Sequence, residues 1–250
     1  VIRRPSAATT AVLFAALAIA PVASAQSPEI KDAASIPAFS AGKVGAPQAP
    51  WEIVRVNDRK KLTDFDLVEN DGKVVLHAKS DAGSSGIGVR TDIDLAKTPM
   101  LAWRWKIAGV VEGADNSVAN KEDAAARITL TFDGDKSKLS FTDRTTMNLA
   151  SAAYGRDLPY ATLMYIWATD APVGTLISNP HTKRIQMIVV SSGKAGVGQW
   201  HSIKRNVRED YKRAFGEDAP ALKSITAFTD ADNTGTKAEA WYGDITLTDK

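Results

Sequence analysis

Apolar and polar residues alternate with a period of two through most of this chain. That period turns successive side chains to opposite faces of a strand. In "MLAWRWKIA" (100–108), Leu101, Trp103, Trp105 and Ile107 share one face, and Ala102, Arg104 and Lys106 share the other. "ARITLTF" (126–132) sets Ile128, Leu130 and Phe132 against Arg127, Thr129 and Thr131. "WEIVRV" (51–56) and "GIGVRTDIDL" (86–95) predict further strands, and "FDLVENDGKVVLHAK" (65–79) predicts a hairpin turning at Asn70-Asp71-Gly72. "TLMYIWA" (162–168) is apolar on both faces, the mark of a central strand covered on both sides. Strands are also predicted at 184–192, 199–207, 224–230 and 238–248. A helix fits 208–215, with Val207, Tyr211 and Phe215 spaced by four and Gly216 as its stop; a second fits 145–154. About ten strands with few strand–helix–strand alternations predict an all-β antiparallel sandwich of jelly-roll type.

The first residues change the picture of where the chain works. Arg3 and Arg4 precede an apolar run from about Ala11 to Ala20, and then comes Ala23-Ser24-Ala25. This pattern predicts a secretory signal peptide over 1–25, cut after Ala25, and hence a periplasmic or secreted protein. The run is shorter than the ~18–20 apolar residues that cross a bilayer, and no later stretch is apolar enough for one. Residues 26–50 are rich in Ala, Pro, Ser and Gly and predict a flexible lead-in. Residues 51–250 then form one domain. The full chain has 31 Lys and Arg against 29 Asp and Glu. Losing Arg3 and Arg4 with the leader balances the two, which argues against nucleic acid as a partner. The chain has no cysteine, so it has no disulfide, no thiol chemistry and no Cys-ligated zinc.

Several stretches together resemble a family. "PMLAWRWKI", "EDAAARITLTF", "YIWA…NP", "GQWHSIKRNVREDYKRAFG", "ITAFTDADNTG" and "AEAWYGDI", running from Trp51 to Leu247, are similar to an exported bacterial family, domain of unknown function 3047. That resemblance carries no activity to transfer. More loosely, the closing half resembles galactose-binding-like jelly rolls, a shape shared by many carbohydrate-binding modules. The implied function is non-catalytic binding of a carbohydrate or cell-envelope ligand, but fold alone does not fix function.

Candidate chemistry lies on the polar sides of the strands. If the strands are neighbours, Arg104, Lys106, Arg127, Tyr165 and Trp167 form one basic-aromatic face. Arginine forks suit carboxylates or phosphates, and flat aromatic faces suit sugar rings, so an acidic glycan is the expected ligand. The competing expectation buries Tyr165 and Trp167 and pairs the arginines with acids such as Glu122 and Asp123. His181, in the loop "NPHTK", is the histidine best placed for a site. A polysaccharide lyase or glycoside hydrolase on the same face is the alternative function, and an envelope structural or partner-binding protein is a third. No G-x-S-x-G or HExxH occurs. "TDADNTG" (229–235) reads either as an Asx-type turn or as a structural calcium site using Asp230, Asp232 and Asp244. The position where an EF-hand needs its glutamate is Trp241, so that motif is excluded.

Overall fold

A computed structural model describes residues 35–154, 157–180 and 182–249. The first strands are β1 (Glu52–Arg55), β2 (Asp64–Asn70), β3 (Lys73–Asp81), β4 (Ser84–Ile93), β5 (Met100–Ile107) and β6 (Arg127–Phe132). Helix α1 (Phe141–Tyr154) follows, then β7 (Ala161–Ala168), β8 (Leu176–Ser178), β9 (Ile185–Ser192) and β10 (His201–Asn206). Helix α2 (Val207–Phe215) leads to β11 (Leu222–Asp230), β12 (Lys237–Tyr242) and β13 (Thr246–Thr248). The strands make a two-sheet, jelly-roll-type β-sandwich. One sheet runs β1-β4-β11-β6-β7-β9-β8; the other runs β10-β5-β12-β3-β2, with β13 added to β5.

The pairing is antiparallel with one exception. β7 and β9 run parallel, with β8 paired antiparallel on the far side of β9. The antiparallel sandwich expected from the sequence is thus present, with this one parallel pair inside it. β8 has only three residues, too few for a period-two signal to register.

The alternation sets the core. Leu101, Trp103, Trp105 and Ile107 of β5 face Ile128, Leu130 and Phe132 of β6 and Leu163, Tyr165 and Trp167 of β7 in one continuous cluster. Trp103 packs on Tyr165 with ring centres 5.2 Å apart, and Trp105 on Trp167 at 6.3 Å. Each such side chain contributes about 1.5–3 kcal/mol by leaving water. Two of the indole N–H groups are placed as well: Trp105 donates to Ser191 Oγ (3.1 Å) and Trp167 to the Gly193 carbonyl (3.1 Å). The other face of β7 packs Ile166 and Ala168 against Met187 and Val189, so this central strand is covered on both sides as expected.

Helix α2 closes one end. The Asn206 side chain accepts from the Arg208 and Glu209 amides, and Gly216 stops the helix at φ 74. Asp210, buried, ties the helix to both sheets. It accepts from Tyr165 Oη (2.8 Å) on β7 and pairs with Arg205 on β10. Burial, and then the Asp210 charge, push the Tyr165 hydroxyl well above its ordinary pKa. Next to it, Glu217 accepts from Arg184, Tyr160 and Tyr211. Burial pushes that carboxyl up, but the Arg184 and Tyr160 hydrogen bonds outweigh it and hold it below the usual range.

Residues 35–50 do not hang loose. Phe39 is buried and stacks on Trp51 at 4.4 Å, and Gly45 bridges to Leu67 through two backbone bonds. The small and polar composition hid the one aromatic that anchors this segment. The expected signal peptide, residues 1–25, lies outside the described residues, as do residues 26–34 of the lead-in.

Candidate functional site: the outer face of the six-stranded sheet

Residues directly opposite one another in an antiparallel pair project to the same face. Lys106 of β5 stands opposite Trp241 of β12, and Trp241 stands opposite His77 of β3. Arg104 stands opposite Ser202, and Ala102 opposite Lys204, both on β10. All point away from the core, because Trp103 and Trp105 between them point in. Trp200, immediately before β10, folds over the same face.

These side chains form a ladder of alternating cations and rings. Arg104 Cζ lies 4.3 Å from the Trp200 ring centre, and Lys106 Nζ lies 5.2 Å from it. Lys106 Nζ is also 4.8 Å from the Trp241 ring centre. Beyond it, His77 stacks on Trp241 at 4.7 Å, with ring planes 6° apart. Attraction between a cation and the negative face of an indole holds such a stack together. Polar contacts pin its edges: Trp200 Nε1 donates to Asp71 (2.8 Å), Lys106 to Asn70 (2.9 Å), and His77 Nε2 meets Glu239 at 2.7 Å. The hairpin turn at Asn70-Asp71-Gly72 thus reaches across to β5 and to the segment before β10.

A groove of about 410 Å³ opens beside the ladder. It lies where β12 ends at Tyr242 and its chain turns away to become β13. The chain stays on β5 there, through the Gly243 amide and then β13, and leaves Lys73 to Val75 of β3 without a strand partner on that side, beside a gap lined by Val75 and Trp103. Lys73, Arg104 and Lys204 line it, with hydroxyls from Ser40, Ser202 and Thr246. Its one acid is Asp244, whose two oxygens accept from the Ser40 amide (2.9 Å) and hydroxyl (2.6 Å). The groove is open, mixed in polarity and net positive.

The single face expected from the sequence is therefore divided. Arg104 and Lys106 lie on it. Tyr165 and Trp167 do not: they point between the sheets and are fully buried. Arg127 sits on the outer side of the other sheet, also buried, and meets Asp230 through Nε (3.1 Å) and Nη2 (3.0 Å) and Glu122 through Nη1 (3.4 Å). The physical reason is that β5 belongs to one sheet and β6 and β7 to the other, so their polar sides face opposite ways. His181 lies outside the described residues. The aromatics that do share the face, Trp200 and Trp241, were missed. Trp241 carried a signal: it shares its parity with Glu239, against Ala238, Ala240 and Tyr242, which are buried.

"TDADNTG" forms the turn between β11 and β12. Asp123, from a distant loop, accepts the Asn233 amide (3.2 Å), the Thr234 amide (2.7 Å) and the Thr234 hydroxyl (2.7 Å). Gly235 takes φ 65, open to glycine without strain. Asp230 pairs with Arg127, and Asp232 with Lys60. Asp123, Asp230 and Asp232 bring one oxygen each within 4.8 Å of one another, a set that could hold a metal ion. Asp244 is not part of it and sits at the groove instead. The donor chemistry suits a hard cation, and the protein itself supplies Arg127 and Lys60 to the same carboxylates. The Asp230 carboxyl is raised to about 6: burial pushes it up, Arg127 pulls it down, and the Asp123 charge pushes it up again. Arg127, in contrast, is held above its ordinary value: burial opposes this, but Asp230, Glu122 and Asp123 together outweigh it. The two shifts are consistent, because one guanidinium serves three acids.

Solved structures with the same general shape include the arabinose-bound α-L-arabinofuranosidase MgGH51, at 9% identity and a TM-score of 0.40. There 85% of this chain is covered, against only 26% of the arabinofuranosidase, so the chain spans about a quarter of that protein. The K1 cleaved adhesin domain of Lys-gingipain from Porphyromonas gingivalis W83 is 10% identical, with a TM-score of 0.36, covering 86% of this chain and 96% of that one. The cellulose-induced protein Cip1 is 12% identical, with a TM-score of 0.36, covering 85% and 95%. No curated protein matches the sequence. A family model does match, over residues 49–246, which takes in β1 to β12: the chain belongs to the DUF3047 family of proteins of unknown function.

Proposed function

We propose that this protein is a non-catalytic binding module for a carbohydrate or other cell-envelope ligand, seated in the groove between β5 and β3. The observation that carries this reading is the groove itself: about 410 Å³, walled by cations and hydroxyls, and backed by a rigid ladder of indoles. Hydroxyl-rich ligands match hydroxyl and amide partners spread along an open channel. Hydrolysis by two carboxylates needs a pair of acids across the cleft, about 5–10 Å apart. Asp244 alone lines this groove, and Ser40 holds it, which favours binding over that chemistry. In this reading the chain is exported, with residues 1–25 as its leader, and it meets its ligand in the periplasm or outside the cell. A calcium ion at Asp123, Asp230 and Asp232 would brace the β11–β12 turn from the opposite sheet, without touching the ligand.

A glycan microarray of the purified protein tests the proposal, run once with calcium and once with a chelator. Binding that disappears in a Lys73→Glu/Lys204→Glu variant of unchanged melting temperature is expected. A chelator is expected to lower the melting temperature and leave the set of bound glycans unaltered. Binding that survives the double charge reversal would sink the groove assignment.

A further inference from the structure

We infer that the groove's ligand carries an anionic group, a carboxylate or a phosphate, and that Gly243 and Trp200 hold Arg104 in the pose that receives it. This inference rests on the binding proposal above and specifies its chemistry.

Charge comes first. Lys73, Arg104 and Lys204 line one groove, and among the described residues none of the three has a carboxylate partner within ion-pair distance. Elsewhere, buried and half-buried arginines of this protein are paired: Arg127 with Asp230, Arg184 with Glu217, Arg205 with Asp210. Asp244, the groove's one acid, is already satisfied by Ser40. Three cations converging on a channel with a single acid, itself held by Ser40, leave a net positive place for a negative ligand.

The pose of Arg104 is the second point. One face of its guanidinium lies against Trp200, and Trp200 is itself fixed by its bond to Asp71. The stem lies across Gly243, whose amide bonds back to the Arg104 carbonyl. A Cβ at position 243 would come within 2.6 Å of Arg104 Cγ, 2.8 Å of Nε and 3.2 Å of Cδ. Gly243 is not in the left-handed region, so the glycine serves this close approach and not the backbone. A guanidinium held flat between an indole and a glycine keeps its N–H edge for a planar or forked acceptor. That edge is what carboxylates and phosphates engage with two parallel hydrogen bonds. A side chain ordered in advance loses less freedom on binding. Arg104 is thus the contact residue, and Gly243 and Trp200 are positioning residues.

The test is calorimetric titration of the purified protein with hexagalacturonate, with neutral cellohexaose and with inorganic phosphate, at low and at high salt. Variants are Arg104→Ala and Gly243→Ala, each checked by thermal melting. Hexagalacturonate is expected to bind, weaken as salt rises, and lose about tenfold or more in Arg104→Ala. Gly243→Ala keeps its charge and its melting temperature, yet should weaken the acidic ligand severalfold. Phosphate binding that depends on Arg104, with hexagalacturonate inert, would support the anionic inference and name phosphate as the source. Cellohexaose binding as tightly as hexagalacturonate, indifferent to Arg104→Ala, would overturn the inference and leave the binding proposal standing. Failure of all three ligands would overturn both. A Gly243→Ala protein that binds like the parent would remove Gly243 from the positioning role.

Discussion

Arg127→Met probes how the outer side of the seven-stranded sheet holds the β11–β12 turn and the loop that carries Glu122. The guanidinium is fully buried, makes two bonds to Asp230, one to the Glu122 carboxylate and one to the Glu122 backbone carbonyl, and lies 3.8 and 3.7 Å from the sulfurs of Met164 and Met187. A methionine therefore fits the space, and the loss is electrostatic. Removing one partner of a buried pair leaves a stranded charge and costs about 3–5 kcal/mol. For a domain of this size each kcal/mol moves the melting temperature by about 2–4 °C, so a fall of roughly 10 °C is expected. Adding Asp230→Asn removes the stranded charge, while Glu122 keeps its bond from Asn179 (2.6 Å). The double variant should recover at least half of the loss. Urea denaturation of the parent, both single variants and the double variant closes the cycle. A single variant within about 1 kcal/mol of the parent, or a double variant no better than Arg127→Met, would refute the reasoning.

Two further expectations concern stability. Asp230 has its carboxyl raised to about 6 in the fold against 3.8 when free, so its protonated form is the favoured one. Its contribution is fully present below pH 4 and is lost as pH rises through 6, a change of roughly 3 kcal/mol; the stability gap between the parent and Asp230→Asn should therefore narrow or invert between pH 4 and 7, and a gap constant across that range would contradict it. Asn206→Ala removes the cap of α2 and should cost about 1 kcal/mol in urea melts, with no change in ligand binding, since Asn206 does not line the groove; a loss under about 0.3 kcal/mol would show the cap to be idle.

Strand existence and facing were legible because they are local. The period-two pattern of 100–108 placed Trp103 and Trp105 in the core and Arg104 and Lys106 outside, and the Asn-Asp-Gly turn fell where the hairpin turns. Helix α2 was legible from its four-residue spacing and its glycine stop. Which polar sides share a surface was not legible, because it depends on which sheet each strand joins. Arg104 and Arg127 both alternate with core residues, yet they lie on opposite outer faces of the sandwich. The groove was illegible for a related reason: it exists because the chain leaves β3 at Tyr242 and follows β5 alone as β13, and no residue type announces where a strand parts from its neighbour. Gly243 shows the limit well. In the sequence it is a turn glycine in "WYGDI"; in the fold it is the floor beneath an arginine.

The placement of the six tryptophans gives the protein a built-in optical readout. Trp51, Trp103, Trp105 and Trp167 are sealed in the interior, whereas Trp200 and Trp241 stand half-exposed in the ladder. Emission that a water-borne quencher can reach therefore comes from the two indoles beside the groove. Each has a cationic neighbour, Arg104 or Lys106, whose displacement by a ligand would alter the colour and lifetime of that emission. A ligand seated in the groove would therefore report its own arrival, without any label.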